Sequence, residues 1–278
     1  MTGVQTCALP IYWPAPPNVK TIQTTRKGGV SHAPYDGFNL GNHVNDNPLH
    51  VAQNRQNLSQ YLPSEPVWLN QVHGIEVVDA ANTSCAADLE YADCVPNADA
   101  SYTTQKNVVC VTMTADCLPI LLCDTAGTVV ASIHAGWRSL CDGVIEATVE
   151  KILAHKICHL QTVKYPENTI KNKDLMAWFG PAIGPNAFEV GPEVRSQFIA
   201  KDAQAATAFK PQGDHELNQK YLGDLTQIAQ QRLQNLGITQ IYGGGMDEHF
   251  CTFTQQDQFF SFRRDGQTGR MATLIWLA

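Results

Sequence analysis

A cysteine, Cys117, and a histidine, His134, stand at the far ends of two apolar runs joined by Asp124-Thr125-Ala126-Gly127. Thiolate and imidazole are donors that zinc favours. The runs 118–123 and 128–134 read as strands and the linking tetrapeptide as a turn, which predicts a hairpin. With Thr125 and Ala126 as a two-residue loop, Asp124 faces Gly127, and the ladder running outward brings Cys117 directly opposite His134. In that register the pair is of the non-hydrogen-bonded type, with Cβ atoms roughly 4.5–5.5 Å apart. Pro119 falls at another such position, opposite Ser132, where its missing N–H is not needed. Two ligands of one ion, with bonds of about 2.3 Å to sulfur and about 2.0–2.1 Å to nitrogen, fit that separation. The same tetrapeptide also suits a three-residue loop with Gly127 as a bulge. That register slips by one residue and sends the two side chains to opposite faces.

A third ligand is needed. His73, within Gln71-Val72-His73-Gly74, is the best candidate, because Gly74 lets the backbone run close to a site. Two imidazoles and one thiolate leave the fourth tetrahedral position open, the pattern of a catalytic zinc. Water in that position acquires a much lower pKa and becomes a usable nucleophile or proton relay. The competing reading is a small buried cysteine and an ordinary hydrogen-bonded histidine. A closed structural site would need a fourth protein ligand, and Cys123 lies roughly 20 Å along the strand from Cys117.

An anion site is expected alongside. His134-Ala135-Gly136-Trp137-Arg138 ends a strand and opens a helix, whose free N–H groups attract phosphate or carboxylate while Arg138 adds a cationic fork. Arg138 could instead pair with Asp142 at helical i, i+4 spacing. Arg26, beside the Gly28-Gly29 turn, is another candidate for an anion. Arg263 and Arg264 follow an apolar run, 259–262, read as a strand, so one should face each side of the sheet.

Other elements must hold these residues in place. Residues 19–45, rich in Gly, Asn and Ser between short apolar strands, read as loop-dominated. Helical spacing covers 48–62, 144–153 and 222–236. Strand character covers runs within 67–78 on either side of His73, then 108–112, 178–191 with a turn, 259–262 and 271–277. Strands and helices mix without regular βαβ alternation, which places the chain in the α+β class. The 278 residues, 44% hydrophobic and 16% charged, contain no linker, repeat or like-charge run, so one domain is expected. A net charge of −7 argues against a nucleic-acid surface, and no apolar stretch is long enough to span a bilayer. Nine cysteines without a CxxC pair read mostly as small buried hydrophobes in a reducing cytoplasm. Residues 1–11, MTGVQTCALPI, lack the basic start and cleavage site of a signal peptide. They read like the translation of a sequencing adapter. They are expected to be foreign to the fold, disordered or non-specifically packed, with the native domain spanning 12–278.

Gln71-Val72-His73-Gly74, Ala115-Asp116-Cys117-Leu118-Pro119 and His134-Ala135-Gly136-Trp137-Arg138 together resemble one family. It is variously called the laccase-domain, polyphenol oxidase, peptidoglycan editing factor or purine nucleoside phosphorylase family. The resemblance extends to Thr24-Thr25-Arg26, Gly28-Gly29-Val30-Ser31, Phe38-Asn39-Leu40-Gly41, Gly180-Pro181-Ala182-Ile183-Gly184-Pro185 and Phe259-Phe260-Ser261-Phe262-Arg263-Arg264, and so covers nearly the whole chain from residue 13. It implies an α/β/β/α-like sandwich of mixed sheets with flanking helices, and a zinc site on His73, Cys117 and His134. It also implies phosphorolysis of adenosine, inosine, guanosine and methylthioadenosine, with adenosine deamination as a side activity. On that reading the partners are a purine nucleoside and phosphate. Arg138, Arg26 and one of Arg263 and Arg264 would clamp the phosphate, with Asn39 and His43 near the nucleoside. No nucleic acid or membrane partner is expected, and the protein would be a monomer or small homo-oligomer. The alternatives are a zinc amidase editing misincorporated amino acids in peptidoglycan precursors, a Cu2+-dependent polyphenol oxidase, and a structural zinc module. The loops 80–97, 159–176 and 244–250 look longer than is usual in the family and could reshape the pocket mouth.

Overall fold

The computed structural model describes residues 7–9, 11–83, 95–160, 171–213, 219–244 and 248–278, with residues 155–160 and 248 described by backbone alone. In chain order its strands and helices are β1 (Ala8–Leu9), β2 (Val19–Thr24), α1 (Pro48–Ser59), β3 (Val77–Asp79), β4 (Ala100–Thr103), β5 (Cys110–Thr114), β6 (Leu118–Asp124), β7 (Val130–Ala135), α2 (Trp137–Asp142) and α3 (Val144–Leu160). There follow β8 (Leu175–Phe179), β9 (Glu189–Val190), α4 (Pro192–Lys201), β10 (Phe209–Gln212), β11 (Lys220–Gly223), α5 (Leu225–Asn235), β12 (Gln240–Gly243), α6 (Phe262–Asp265) and β13 (Met271–Leu277). Among the described residues no helix is long and apolar enough to cross a membrane.

The expected α+β sandwich is what the chain forms. A six-stranded sheet, in the order β12-β8-β6-β7-β4-β3, lies against a four-stranded sheet, β1-β2-β13-β5. A small three-stranded sheet, β10-β11-β9, stands apart from both. The central strands β6 and β7 are buried along their whole length because each of their faces has a cover. Ile120, Leu122, Ala131 and Ile133 pack against Val144, Ile145, Val149 and Ile152 of α3. The alternate residues Leu121, Cys123 and Val130 pack on Cys110, Ile275 and Leu277 of the other sheet. The outer face of that second sheet, with Val111, Met113, Ala272 and Leu274, is covered by Leu58 of α1 together with Phe38, Leu40 and Trp68. Period-two alternation thus sorts each strand into a helix-facing and a sheet-facing set. Ser132 and Thr112, both on inner faces, join the two sheets by a 2.8 Å hydrogen bond.

The hairpin register differs from the two-residue-loop expectation. His134 pairs with Pro119, and Cys123 with Val130, so Cys117 is not directly opposite His134. The cause is Asp124. Its buried carboxylate accepts from Thr128 N at 2.6 Å, the Thr128 hydroxyl at 2.5 Å and Val129 N at 3.0 Å. This holds residues 125–128 as a four-residue loop, with Gly127 at φ 63°. His134 therefore pairs two positions along from Cys117. A slip of two preserves the face, where a slip of one would have inverted it.

Two further expectations are corrected. Phe259 and Phe260 are buried, but 259–262 is not a strand: Ser261 caps the short helix α6, its side chain accepting from Arg264 N. Arg263 and Arg264 therefore sit on one helical turn and not on two faces of a sheet. The runs around His73 form loop, with a strand only at β3. From the segment read as adapter-derived, Ala8 and Leu9 pair with Thr24 and Gln23 along the edge of β2. Cys110, Cys123, Cys141 and Cys251 are buried free thiols, as expected, whereas Cys85, Cys94 and most of the 80–97 and 159–176 segments lie outside the described residues. Replacing Asp124 with Ala is expected to lower unfolding free energy by about 1–3 kcal/mol, since the buried Val129 N–H and the part-buried Thr128 N–H lose their acceptor. Urea denaturation measures it, and a midpoint equal to wild type would contradict the carboxylate-held turn.

Candidate metal centre

The strand ends converge where the sandwich opens. His134 continues the sheet-facing set of β7 beyond Val130 and Ser132. Cys117 precedes β6, turned inward by Asp116, which adopts φ 94°. Asp116 is held there by Thr252 Oγ1 at 2.7 Å and Arg263 N at 2.6 Å, both donating to its carboxylate. His73 arrives on a loop fixed by Gln71, whose amide exchanges hydrogen bonds with both backbone groups of Met113 at 2.7 and 2.8 Å. One ligand atom from each of His73, Cys117 and His134 lies within 4.8 Å of the others, the one such group of metal donors among the described residues.

Asp99 organises this cluster, and the sequence reading missed it. Fully buried, its carboxylate accepts from Val72 N at 3.2 Å, His73 N at 2.9 Å, Gly74 N at 2.6 Å and His134 Nδ1 at 2.7 Å. Burial would raise its pKa, but the bonds from His134 and from the backbone of Gly74 and His73 hold it below the usual carboxylate range. Asp99 is thus an anion that only accepts, so Nδ1 of His134 is the protonated nitrogen and Nε2 is left for a metal. His73 sits at φ 60°, uncommon outside glycine, and the three N–H bonds to Asp99 keep its loop there.

The residues fit a metal ion. Cys117 Sγ and His73 Nε2 are 3.7 Å apart, against about 3.6 Å for tetrahedral bonds of zinc to sulfur and nitrogen. Gly136 faces them with no side chain. A Cβ there would come within 2.5 Å of His73 Cδ2 and 3.2 Å of Cys117 Sγ, so glycine keeps the cradle open. Burial opposes charge at Cys117, yet His134 and His73 beside it lower its pKa to about 6. Burial likewise opposes charge on His134, but the Cys117 sulfur and Asp99 raise it to about 9. Cys110 and Cys123, by contrast, are pushed up by burial, Cys110 to about 12. Cys117 is the thiol poised to be a ligand.

A cleft of about 500 Å³ opens over the donors, lined among others by His43, Thr114, Trp137, Arg138, Phe188, Phe262, Arg263 and Arg270. Of the residues singled out for anion or nucleoside, the structure brings His43, Arg138 and Arg263 to this cleft. Arg138 is exposed and lies over the Trp137 ring at 4.3 Å, while Asp142 reaches Lys201 at 3.6 Å instead. Helix α2, which Trp137 opens and which carries Arg138 in its first turn, lasts six residues before Gly143 breaks it. Arg263 donates to Glu189 O at 2.8 Å. Desolvation in the cleft and the charges of Arg270 and Arg55 lower His43 to about 4, which leaves it neutral at pH 7.

Arg26, Arg264 and Asn39 lie elsewhere. Arg26 and Arg264 line a separate, more open depression together with Asp36, Asp257 and Asp265. Arg264 ties the carbonyls of Thr252, Phe253 and Phe259. Asn39 is fully buried, accepts from Gly41 N and Arg270 N, and donates to Asp46. Arg270, which the sequence reading passed over, borders the donors. Its position directly before β13 was the only sequence signal.

Residues 20–278 match the family described as multi-copper polyphenol oxidoreductase laccase. A Shigella flexneri protein named purine nucleoside phosphorylase YfiH is 50% identical over 267 residues, covering 95% of this chain and 96% of its own. A Pseudomonas aeruginosa protein, also named a purine nucleoside phosphorylase, is 44% identical over 265 residues, covering 95% and 96%. The crystal structure of a Neisseria meningitidis protein of family DUF152 superposes with a TM-score of 0.80 at 43% identity, covering 98% of this chain and 99% of that one.

Two outcomes follow for metal binding. Gly136 has φ −64°, which alanine adopts freely, so Gly136→Ala should leave the circular dichroism unchanged yet weaken zinc binding on the order of tenfold or more by displacing His73. Affinity equal to wild type in a competition titration would contradict the steric argument. A ligand must be deprotonated to bind. With Cys117 near 6 and His134 near 9, zinc should expel about one proton at pH 7 and about two below pH 6. Apparent affinity should therefore fall about tenfold per unit from pH 9 to 6, and more steeply below. A flat profile would contradict the assignment of these ligands.

Proposed function

The chain belongs to the multi-copper polyphenol oxidoreductase laccase family, and from that premise we propose that it is a zinc-dependent purine nucleoside phosphorylase with adenosine deamination as a side activity. Relatives at 44% and 50% identity carry the phosphorylase name. The observation that carries the reading is the set of three metal donors at the floor of a cleft lined by Arg138, Arg263 and Arg270.

Charge decides which co-substrate suits the cleft. A divalent ion on one thiolate and two neutral imidazoles leaves one net positive charge. Three arginines add to it, against the carboxylate of Asp116 alone among the lining residues. A dianion such as hydrogen phosphate is drawn into such a field. Trp137, Phe188 and Phe262 give the same cleft apolar, aromatic walls against which a purine can pack. Its volume suits a small ligand of nucleoside size.

In phosphorolysis a phosphate oxygen forms the bond to C1′ as the C1′–N9 bond breaks. The base leaves with the electron pair and gains the proton that hydrogen phosphate gives up. Arg138 and Arg263 bring cations to the anion, and neutral His43 offers a hydrogen bond to the nucleoside. The chemistry that bound zinc supplies is Lewis acidity and a lowered pKa for water, which also suits attack at C6 of adenine with loss of ammonia. Imidazole and thiolate accept copper as well as zinc, and a single donor group among the described residues supports a mononuclear centre.

Zinc-loaded protein with adenosine and phosphate should yield adenine and ribose 1-phosphate, with some inosine, by chromatography. Cys117→Ala should lose at least about a hundredfold in rate, with zinc binding lost in parallel. If the zinc-loaded wild type forms neither ribose 1-phosphate nor inosine, the reading is wrong.

A further inference from the structure

We propose that Thr114 and Arg270 form the phosphate-binding half of the cleft, an assignment that rests on the phosphorolysis reading above. Thr114 ends β5 on its sheet-facing side. Thr112, two residues earlier on that side, bonds Ser132 across the sandwich at 2.8 Å. His134 lies two residues beyond Ser132, so one step along both strands brings Thr114 to the level of the metal donors. Thr114 is only 1% exposed and lines the cleft, and its buried hydroxyl has no hydrogen-bond partner among the described residues. A buried polar atom left unpaired costs free energy in any protein, and such atoms are few in native structures. A ligand oxygen in the cleft would complete this one.

Arg270 stands beside it. Thr114 pairs with Met271, the residue that follows Arg270, so the two groups enter from adjoining strands. One terminal nitrogen of Arg270 is spent on the carbonyls of Thr268 and Gly269 at 2.9 and 3.0 Å. Asn39 fixes its backbone N–H at 2.8 Å, and the guanidinium makes no further hydrogen bond among the described residues. A guanidinium tethered at one corner keeps its remaining donors on the cleft, where they meet a tetrahedral oxyanion with charge-assisted bonds. Arg138, exposed and stacked on Trp137, and Arg263, tied to Glu189, stand nearer the surface and steer the anion inward.

The test uses zinc-loaded protein, inorganic phosphate and four variants. Thr114→Val keeps the shape and removes an unpaired hydroxyl, so its thermal midpoint should equal or exceed that of wild type. Its dissociation constant for phosphate, by calorimetry, and its KM for phosphate should both rise about tenfold or more, with KM for adenosine within about twofold. Thr114→Ser should restore phosphate binding. Arg270→Gln should weaken it further, and Arg270→Lys should recover only part, since an ammonium lacks the fork. Phosphate binding unchanged in both Thr114→Val and Arg270→Gln would overturn the assignment while leaving phosphorolysis intact. A wild type that binds phosphate through these two residues yet forms no ribose 1-phosphate would uphold the subsite and remove the phosphorylase reading.

Discussion

The candidate site depends on one buried carboxylate. Asp99 gathers four donors from two separate parts of the chain: three consecutive backbone N–H groups of the 72–74 loop and the imidazole Nδ1 of His134. A buried carboxylate is tolerable only when its oxygens are fully engaged, and these four bonds are what keep it ionised. In return it holds a loop residue at positive φ and selects the tautomer of a strand residue. His73 and His134 thus point at one place because they share an acceptor. Cys117 needs no share in that bond. Its position follows from the turn at Asp116 and from the space that Gly136 leaves.

The surrounding fold explains why the site is stiff on one side and open on the other. Strands β5, β6 and β7 are buried on both faces, and their inner residues stack in register between the sheets. Where the strands end, that same inner face opens on a cleft, and the next residues in the alternation become donors and cleft lining. A rigid sandwich therefore delivers Thr114 and His134 with little freedom. His73, Arg263 and Arg270 come from loops or short helical turns, and each is fixed by named bonds to its neighbours. Geometry that matters to a metal is carried by strands and by buried bonds, the arrangement that preorganised sites require.

Much of this was legible in the residues and some was not. That Cys117 and His134 share one face rested on hairpin alternation, and it survived the loss of their direct pairing because the slip was by two residues. The turn itself was misread because the carboxylate of Asp124 reaches three donors beyond it, which propensity at 124–127 cannot reveal. The α+β sandwich followed from strands and helices without βαβ order. Arg263 and Arg264 were misplaced because one residue, Ser261, caps a helical turn in an apolar run that reads as strand. Arg264 and Asn39 bind backbone groups at home, and no local pattern separates such an anchor from a ligand. Asp99 escaped notice for a different reason. It is a lone acid among small residues, and its importance lies in partners 25–35 positions away in the chain.

Whether one carboxylate aims both imidazoles can be measured directly, through the zinc dissociation constant of Asp99→Asn against that of wild type at pH 7.5. The amide keeps the volume of the side chain, but its charge is gone. One of the two acceptor oxygens becomes a donor nitrogen, so either the His73 and His134 donors or the Val72 and Gly74 donors lose their acceptor. With circular dichroism matching wild type, zinc should bind about 10–100-fold more weakly, the range seen when a ligand loses its orienting partner. An affinity within about twofold of wild type would show that His73 and His134 converge without Asp99, and would contradict the account at its root.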